Sequence, residues 1–279
     1  MSFNFRCPVC GCPLDGDKTL KCENNHCFDV AKQGYVNLLQ SQKSSKKRHG
    51  DDALMVKARQ DFLEKGYYAP LCDEIGKMLL KYSKPEMTVA DLGCGECWYT
   101  QRLFSLLGQQ GINAEICGID ISKQALISGA KRCPSLHLAV ASTAELPLAD
   151  GSCDAVISIF APCSESEILR VLKPDGVWIR AFPLERHLMG LKAEIYDKPY
   201  ENRVDRNAPE GFAVADKSEI SYGITLESAE DIMNLFKMTP YYYRTGIEDQ
   251  KKISVKNSLE TELQFGIYAY KRKKLLCKS

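Results

Sequence analysis

From Thr88 onward the chain alternates short apolar runs with amphipathic stretches of helical spacing, and this alternation limits its fold more than any other feature. Strands separated by helices run parallel in a sheet that is covered on both faces. Strands are expected near 88–92, 115–120, 136–141, 154–160 and 177–182. Ser122 is placed to cap a helix running to about Lys131, and Ser164 with Glu167 to form a capping box. The helix after Ser164 should stop at the Lys173-Pro174-Asp175-Gly176 turn. Ahead of the sheet, apolar residues from Ala53 to Tyr82 recur at helical spacing, broken at Gly66 and Pro70. After Pro183 the periodicity fades for about forty residues. Order returns with a helix around 227–237 and an alternating strand at 263–270.

The first expected strand runs into VADLGCGECWYT, residues 89–100. A strand, a glycine turn and a helix N-terminus make a concave site where backbone N–H groups face a ligand. A dinucleotide-binding turn would want GxGxxG, but here Gly93 and Gly95 are followed three residues on by the bulky Trp98. Asp91, two residues before Gly93, would repel a diphosphate and welcome a cation. S-adenosylmethionine has that charge pattern, with an α-ammonium, a sulfonium and no phosphate. Asp120, 25 residues after Gly95, ends the second strand where a carboxylate can accept the ribose hydroxyls. The Asp91-Gly93-Gly95 loop and the RVLKPDG turn at 170–176 resemble class I methyltransferases, which implies a Rossmann-like α/β domain. Taken singly, each glycine reads as an ordinary turn and Asp120 as a solvated acid. Cys97 stands where a third glycine is an option. At negative φ it costs little space, and at positive φ about 1 kcal/mol of strain.

Of 13 cysteines, five fall in the first 27 residues: Cys7, Cys10, Cys12, Cys22 and Cys27. The rest are scattered as small apolar residues would be. CPVC at 7–10 and Cys22-x3-His26, eleven residues apart, supply four donors for tetrahedral zinc in a closed, structural site. Cys12 or Cys27 could replace a member of that set. The segment lacks helical periodicity, so it reads as a small unit held by metal more than by a core. Lys plus Arg number 37 against 36 Asp plus Glu, so nucleic-acid binding would need a local patch. The run SQKSSKKRHGDD offers one in Lys43, Lys46, Lys47 and Arg48, which otherwise form a solvated linker. No charged n-region leads into an apolar run and no apolar stretch is long enough to cross a bilayer, so a cytoplasmic protein is expected.

Together CPxC, HCFDVAKQGYVNLL (26–39), GDDALMVKAR (50–59), DLGCGEC, FAPC (160–163) and RHLMGLK (186–192) resemble the bacterial 23S ribosomal RNA guanine-N1 methyltransferases. The resemblance implies methylation of a guanine in a hairpin of 23S rRNA, with S-adenosylmethionine and structural zinc as cofactors. It implies no membrane partner, and it suggests a homodimer. A zinc-binding RNA-recognition module is expected over 1–42 and a methyltransferase domain over 43–279, with 43–84 as linker and helical lead-in. The family's zinc ligands fall on Cys7, Cys10, Cys22 and His26. Its cofactor contacts fall on Tyr68, Glu96, Cys97 and His187, beside Asp91, Gly93, Gly95 and Asp120. Two departures are Cys97, where the family usually has glycine, and PLE before Arg186, where it is richer in glycine. Without the resemblance Tyr68 and His187 read as core residues. Guanine N1 lies on the Watson–Crick edge, so the target must be unpaired or flipped, and N1 must lose its proton. The sequence names no base for that step. Rival readings are a cytosine-5 RNA methyltransferase using Cys163, a small-molecule methyltransferase, and a non-catalytic zinc-stapled RNA-binding protein.

Overall fold

In the computed structural model, residues 3–40 and 52–273 are described. The cysteine-rich segment holds a small antiparallel pair, β1 (Thr19–Lys21) and β2 (Cys27–Asp29), followed by β3 (Tyr35–Asn37). Helices α1 (Ala53–Glu64) and α2 (Ala69–Lys81) lead into β4 (Glu86–Leu92). Then come α3 (Trp98–Gln109), β5 (Asn113–Asp120), α4 (Lys123–Arg132), β6 (His137–Val140) and β7 (Cys153–Ile159). The chain continues through α5 (Glu165–Val171), β8 (Leu172–Pro183), α6 (Met189–Ile195) and β9 (Phe212–Leu226). It closes with α7 (Ala229–Lys237), α8 (Tyr241–Arg244), α9 (Ile247–Ser254) and β10 (Leu259–Arg272).

Eight strands form one sheet in the order β3-β6-β5-β4-β7-β8-β10-β9. The six from β3 to β8 run parallel, and β10 lies antiparallel between β8 and β9. β7 is buried at every position, as a strand covered on both faces must be. From β4 the chain winds outward through β5 to β6, then returns to lay β7 on the other side of β4. That reversal opens a crevice at the carboxyl ends of β4, β5 and β7, where such sheets bind ligands.

Local signals explain the element ends. Ser122 Oγ accepts from Ala125 N at 3.3 Å and starts α4. Pro70 lies in the first turn of α2, where its missing N–H costs nothing, so it starts the helix instead of breaking it. The capping box at α5 is only half formed. Ser164 Oγ accepts from Glu167 N at 3.4 Å, but the Glu167 carboxylate turns to Leu146 N (2.7 Å) and to Arg170. Charge-assisted bonds to Arg170 outcompete a return to Ser164 N, which donates to Thr143 O instead. The Lys173–Gly176 turn survives as an irregularity inside β8: Cys153 pairs with Leu172 and Ala155 next with Val177.

The N-terminal segment is better supplied with apolar packing than its composition suggests. Phe3, Phe5, Leu14, Leu20 and Leu38 are buried in one cluster with Leu92, Ile119 and Leu148 of the larger unit. β3 pairs in parallel with β6, Tyr35 facing Leu138. The segment therefore borrows the sheet's core, which short strands without periodicity do not announce. β9 also went unread, because only alternate residues of this edge strand are shielded and its exposed face is polar.

Candidate active site and metal centre

β4 delivers Asp91 to the floor of the crevice, where its carboxylate is buried and Oδ2 accepts from Thr100 Oγ1 at 2.6 Å. Burial pushes its pKa up to about 7 against the help of Thr100, and Asp120 and Glu96 add like charge. A cation arriving beside Asp91 would tip it to the charged form. Gly93 follows with φ 74°, and a Cβ there would also collide with Ala161 Cβ, so the turn needs glycine on both counts. Gly95 has φ 57° and its N–H donates to Asp120 Oδ2 at 2.9 Å. Asp120 Oδ1 accepts from Ser122 N at 2.7 Å, so this acid ties the glycine loop to the start of α4.

Cys97 takes the strained option, at φ 64° and ψ 27°, just before α3. Its sulfur is fully buried, and a Cβ on Gly129 would stand 2.6 Å from it, so α4 makes room for the thiol with a glycine. Glu96 is buried with its pKa raised by desolvation, which Arg59 and Arg132 partly oppose. Arg132 Nε donates to the Glu96 carbonyl at 3.1 Å, while Glu96 Oε1, at 4.0 Å from Arg132 Nη2, has no hydrogen-bond partner among the described residues. The buried Tyr99 hydroxyl is likewise unpartnered.

On the far wall, the buried Tyr68 hydroxyl lies 3.5 Å from His187 Nε2. Gln264 N donates to His187 Nδ1 at 3.2 Å, which leaves the ring proton on Nε2, facing Tyr68. Burial, with Lys192 second, drives the imidazole pKa down to about 3, so the ring is neutral. Tyr68 is pushed far above the usual tyrosine range by burial and stays a phenol.

These walls enclose a cavity of about 890 Å³. Of the eight expected cofactor residues, Tyr68, Asp91, Gly93, Gly95, Glu96, Asp120 and His187 line it. Cys97 lies behind the loop, and Cys94 faces the cavity in its stead. Sequence reasoning missed Arg59, Tyr99, Thr143 and Tyr241 on the lining. The unpartnered Glu96 Oε1 and Tyr99 hydroxyl beside the buried Asp91 carboxyl fit a ligand bringing ammonium and hydroxyl groups, as S-adenosylmethionine does. Cys163 also reaches the cavity, but burial raises its thiol pKa, the opposite of what an attacking thiolate requires.

In the N-terminal segment, one ligand atom from each of Cys7, Cys10, Cys22 and His26 lies within 4.8 Å of all the others. The Cys10 and Cys22 sulfurs are 3.7 Å apart, and His26 Nδ1 is 3.5 Å from Cys7 Sγ and 3.4 Å from Cys22 Sγ. A zinc–sulfur bond of about 2.3 Å gives tetrahedral edges of about 3.7 Å, so the donor set has the size for zinc. The Cys12 and Cys27 thiols turn to the carbonyls of Cys10 and Asn25. The basic residues Lys43, Lys46, Lys47 and Arg48 lie outside the described residues.

A Rossmann-like sheet with this glycine loop and a zinc ribbon defines a zinc-containing S-adenosylmethionine-dependent methyltransferase. Residues 5–47 match the zinc-ribbon family described as "RlmA, N-terminal", and residues 89–176 match "Methyltransferase domain". The "23S rRNA (guanine(748)-N(1))-methyltransferase" of Streptomyces fradiae is 37% identical over 67% of this chain and 66% of its own length. The Bacillus subtilis (strain 168) protein named "Putative 23S rRNA (guanine-N(1)-)-methyltransferase YxjB" is 34% identical over 85% of this chain and 86% of its own. A Micromonospora griseorubida protein of the same designation is 31% identical over 87% of this chain and 88% of its own. The chain belongs to the family of 23S rRNA (guanine-N1)-methyltransferases.

Proposed function

We propose that the chain methylates N1 of a guanine in a hairpin of 23S rRNA. The supporting observation is the buried Asp91 carboxyl beside the Gly93–Gly95 turn, lining a crevice of about 890 Å³. Asp91 and Glu96 would hold the cationic end of the cofactor, Asp120 its ribose, and Tyr68 and His187 the far wall, with Gly93, Gly95 and Cys97 shaping the loop between. When bound, S-adenosylmethionine supplies a methyl group from a sulfonium centre. The chain's own task is to align the guanine N1 lone pair, left when N1–H departs, and to keep water out. His187 Nε2 carries a proton, so this ring orients its neighbours and takes none from N1.

Residues 1–42 serve as a zinc-binding RNA-recognition module and 43–279 as the methyltransferase domain in this reading, and Lys43, Lys46, Lys47 and Arg48 contact phosphates. The protein would act in the cytoplasm, as a homodimer measurable by sedimentation. No helix among the described residues is long and apolar enough to cross a membrane. The decisive experiment is reverse transcription across unmodified large-subunit RNA treated with protein and S-adenosylmethionine. A new stop at one guanine is expected, and its absence at every guanine defeats the proposal.

A further inference from the structure

Phe160 combines a left-handed backbone with a partly exposed aromatic ring at the crevice. It follows β7 with φ 56°, a left-handed backbone that bulky side chains rarely adopt, and it keeps 43% of its surface exposed. One side of its ring rests on aromatic neighbours: Phe265 at 5.6 Å, Tyr68 at 6.3 Å and His187 at 6.5 Å between centroids. Buried apolar contact would not require strain with so much of the ring left in water.

The loop that presents this ring is clamped on several sides. Ala161 sits directly on Gly93 of the cofactor loop. Thr143 Oγ1 donates to the Pro162 carbonyl at 2.7 Å, Ser164 N to the Thr143 carbonyl at 3.4 Å, and Phe160 N to the Ala181 carbonyl at 3.1 Å. The strained ring is therefore held rigidly beside the turn where the reactive end of the cofactor would lie. Strand order adds a direction. Asp120, the ribose acceptor, ends β5 on one side of β4, whereas Phe160 follows β7 on the other. The cavity spans both halves, and on the β7 side Tyr68 and His187 back the Phe160 ring, which is left partly exposed.

We propose that Phe160 forms the base subsite: an extruded purine base stacks on its exposed face, which orients the ring edge towards the methyl donor. The proposal rests on the function given above. Aromatic stacking suits an unpaired base and contributes tens-fold effects without needing a hydrogen bond.

The test uses the full chain and in vitro transcribed large-subunit RNA, with initial methylation rates for wild type, F160A, F160G and F160Y and calorimetric cofactor affinity for each. Glycine relieves the positive φ but forfeits the ring's contacts with Phe265, Tyr68 and His187, so the urea midpoint of each variant is measured beside its rate. Roughly 10- to 100-fold loss of kcat/KM is expected for F160A and F160G, cofactor affinity within about twofold of wild type, and recovery in F160Y. Wild-type rates in F160G, failure of F160Y to recover, or a parallel loss of cofactor affinity would each overturn the subsite. If wild type methylates guanine while F160A is indifferent, the subsite alone falls. If wild type leaves the RNA unmethylated, the proposed function falls and the subsite with it.

Discussion

The sulfur of Cys97 occupies the space that a methyl group on Gly129 would take, 2.6 Å from where that group would begin. A left-handed cysteine in the cofactor loop and a glycine in the middle of α4 are thus two halves of one packing solution. Gly129→Ala should destabilise the protein by about 1–3 kcal/mol through overpacking. In a Cys97→Gly background the same change should become neutral or stabilising, because alanine favours the helix by about 1 kcal/mol. Urea midpoints for the four members of this cycle measure the coupling, and simple additivity would mean that the two residues do not share the space.

Asp91 predicts the pH dependence of cofactor binding. Its pKa near 7 without ligand means that a cationic ligand must bind the ionised form and shed a proton below that pH. Affinity for S-adenosylmethionine should fall roughly tenfold per pH unit below about 7 and level off above it. Calorimetry in buffers of different ionisation enthalpy would detect the released proton. Asp91→Asn should bind weakly at every pH, with no inflection near 7.

The pKa of His187 is shifted in the opposite direction, downward, and it bears on stability. Its folded pKa of about 3 lies below that of the unfolded chain, so its contribution to stability is complete above about 6.5 and is lost as pH falls towards 3. The raised pKa of Asp91 works the other way, adding stability as pH falls from about 7 towards 4. Asp91→Asn should therefore lose stability more steeply on acidification than wild type. The His187 ring resonances should show no titration between pH 5 and 8.

Zinc stoichiometry separates the cysteines. Cys12→Ser and Cys27→Ser should keep one zinc per chain by elemental analysis, since both thiols face backbone carbonyls. Cys22→Ser should lose the metal and, with it, the ordered packing of Phe3 and Phe5 against the sheet.

Cys163→Ser should retain at least half of the methylation activity on ribosomal RNA. Its raised thiol pKa suits a half-buried neighbour of the base more than an attacking group, and a complete loss of activity would revive the cytosine reading.

What could be read directly from the sequence follows how local each instruction is. Asp91, Gly93, Gly95 and Asp120 were legible because one turn and the next strand end carry the whole arrangement within thirty residues. Tyr68 and His187 meet across 119 positions, a contact that no spacing encodes, and only the family resemblance brought them forward. The φ of Cys97 and of Phe160 could not be read at all, because left-handed backbone at a non-glycine residue is imposed by surrounding packing. α6 and β9 were missed because a seven-residue helix and a half-exposed edge strand give too few apolar positions for a period to emerge.

The parallel pairing of β3 with β6 has a mechanical consequence. A metal-bound tip on a slack tether could grip its target at any offset from the reacting centre, whereas one built onto the rim of the catalytic sheet cannot swing. The zinc-ligand cluster and the crevice are therefore tied to one sheet, and the span between them is set by the fold.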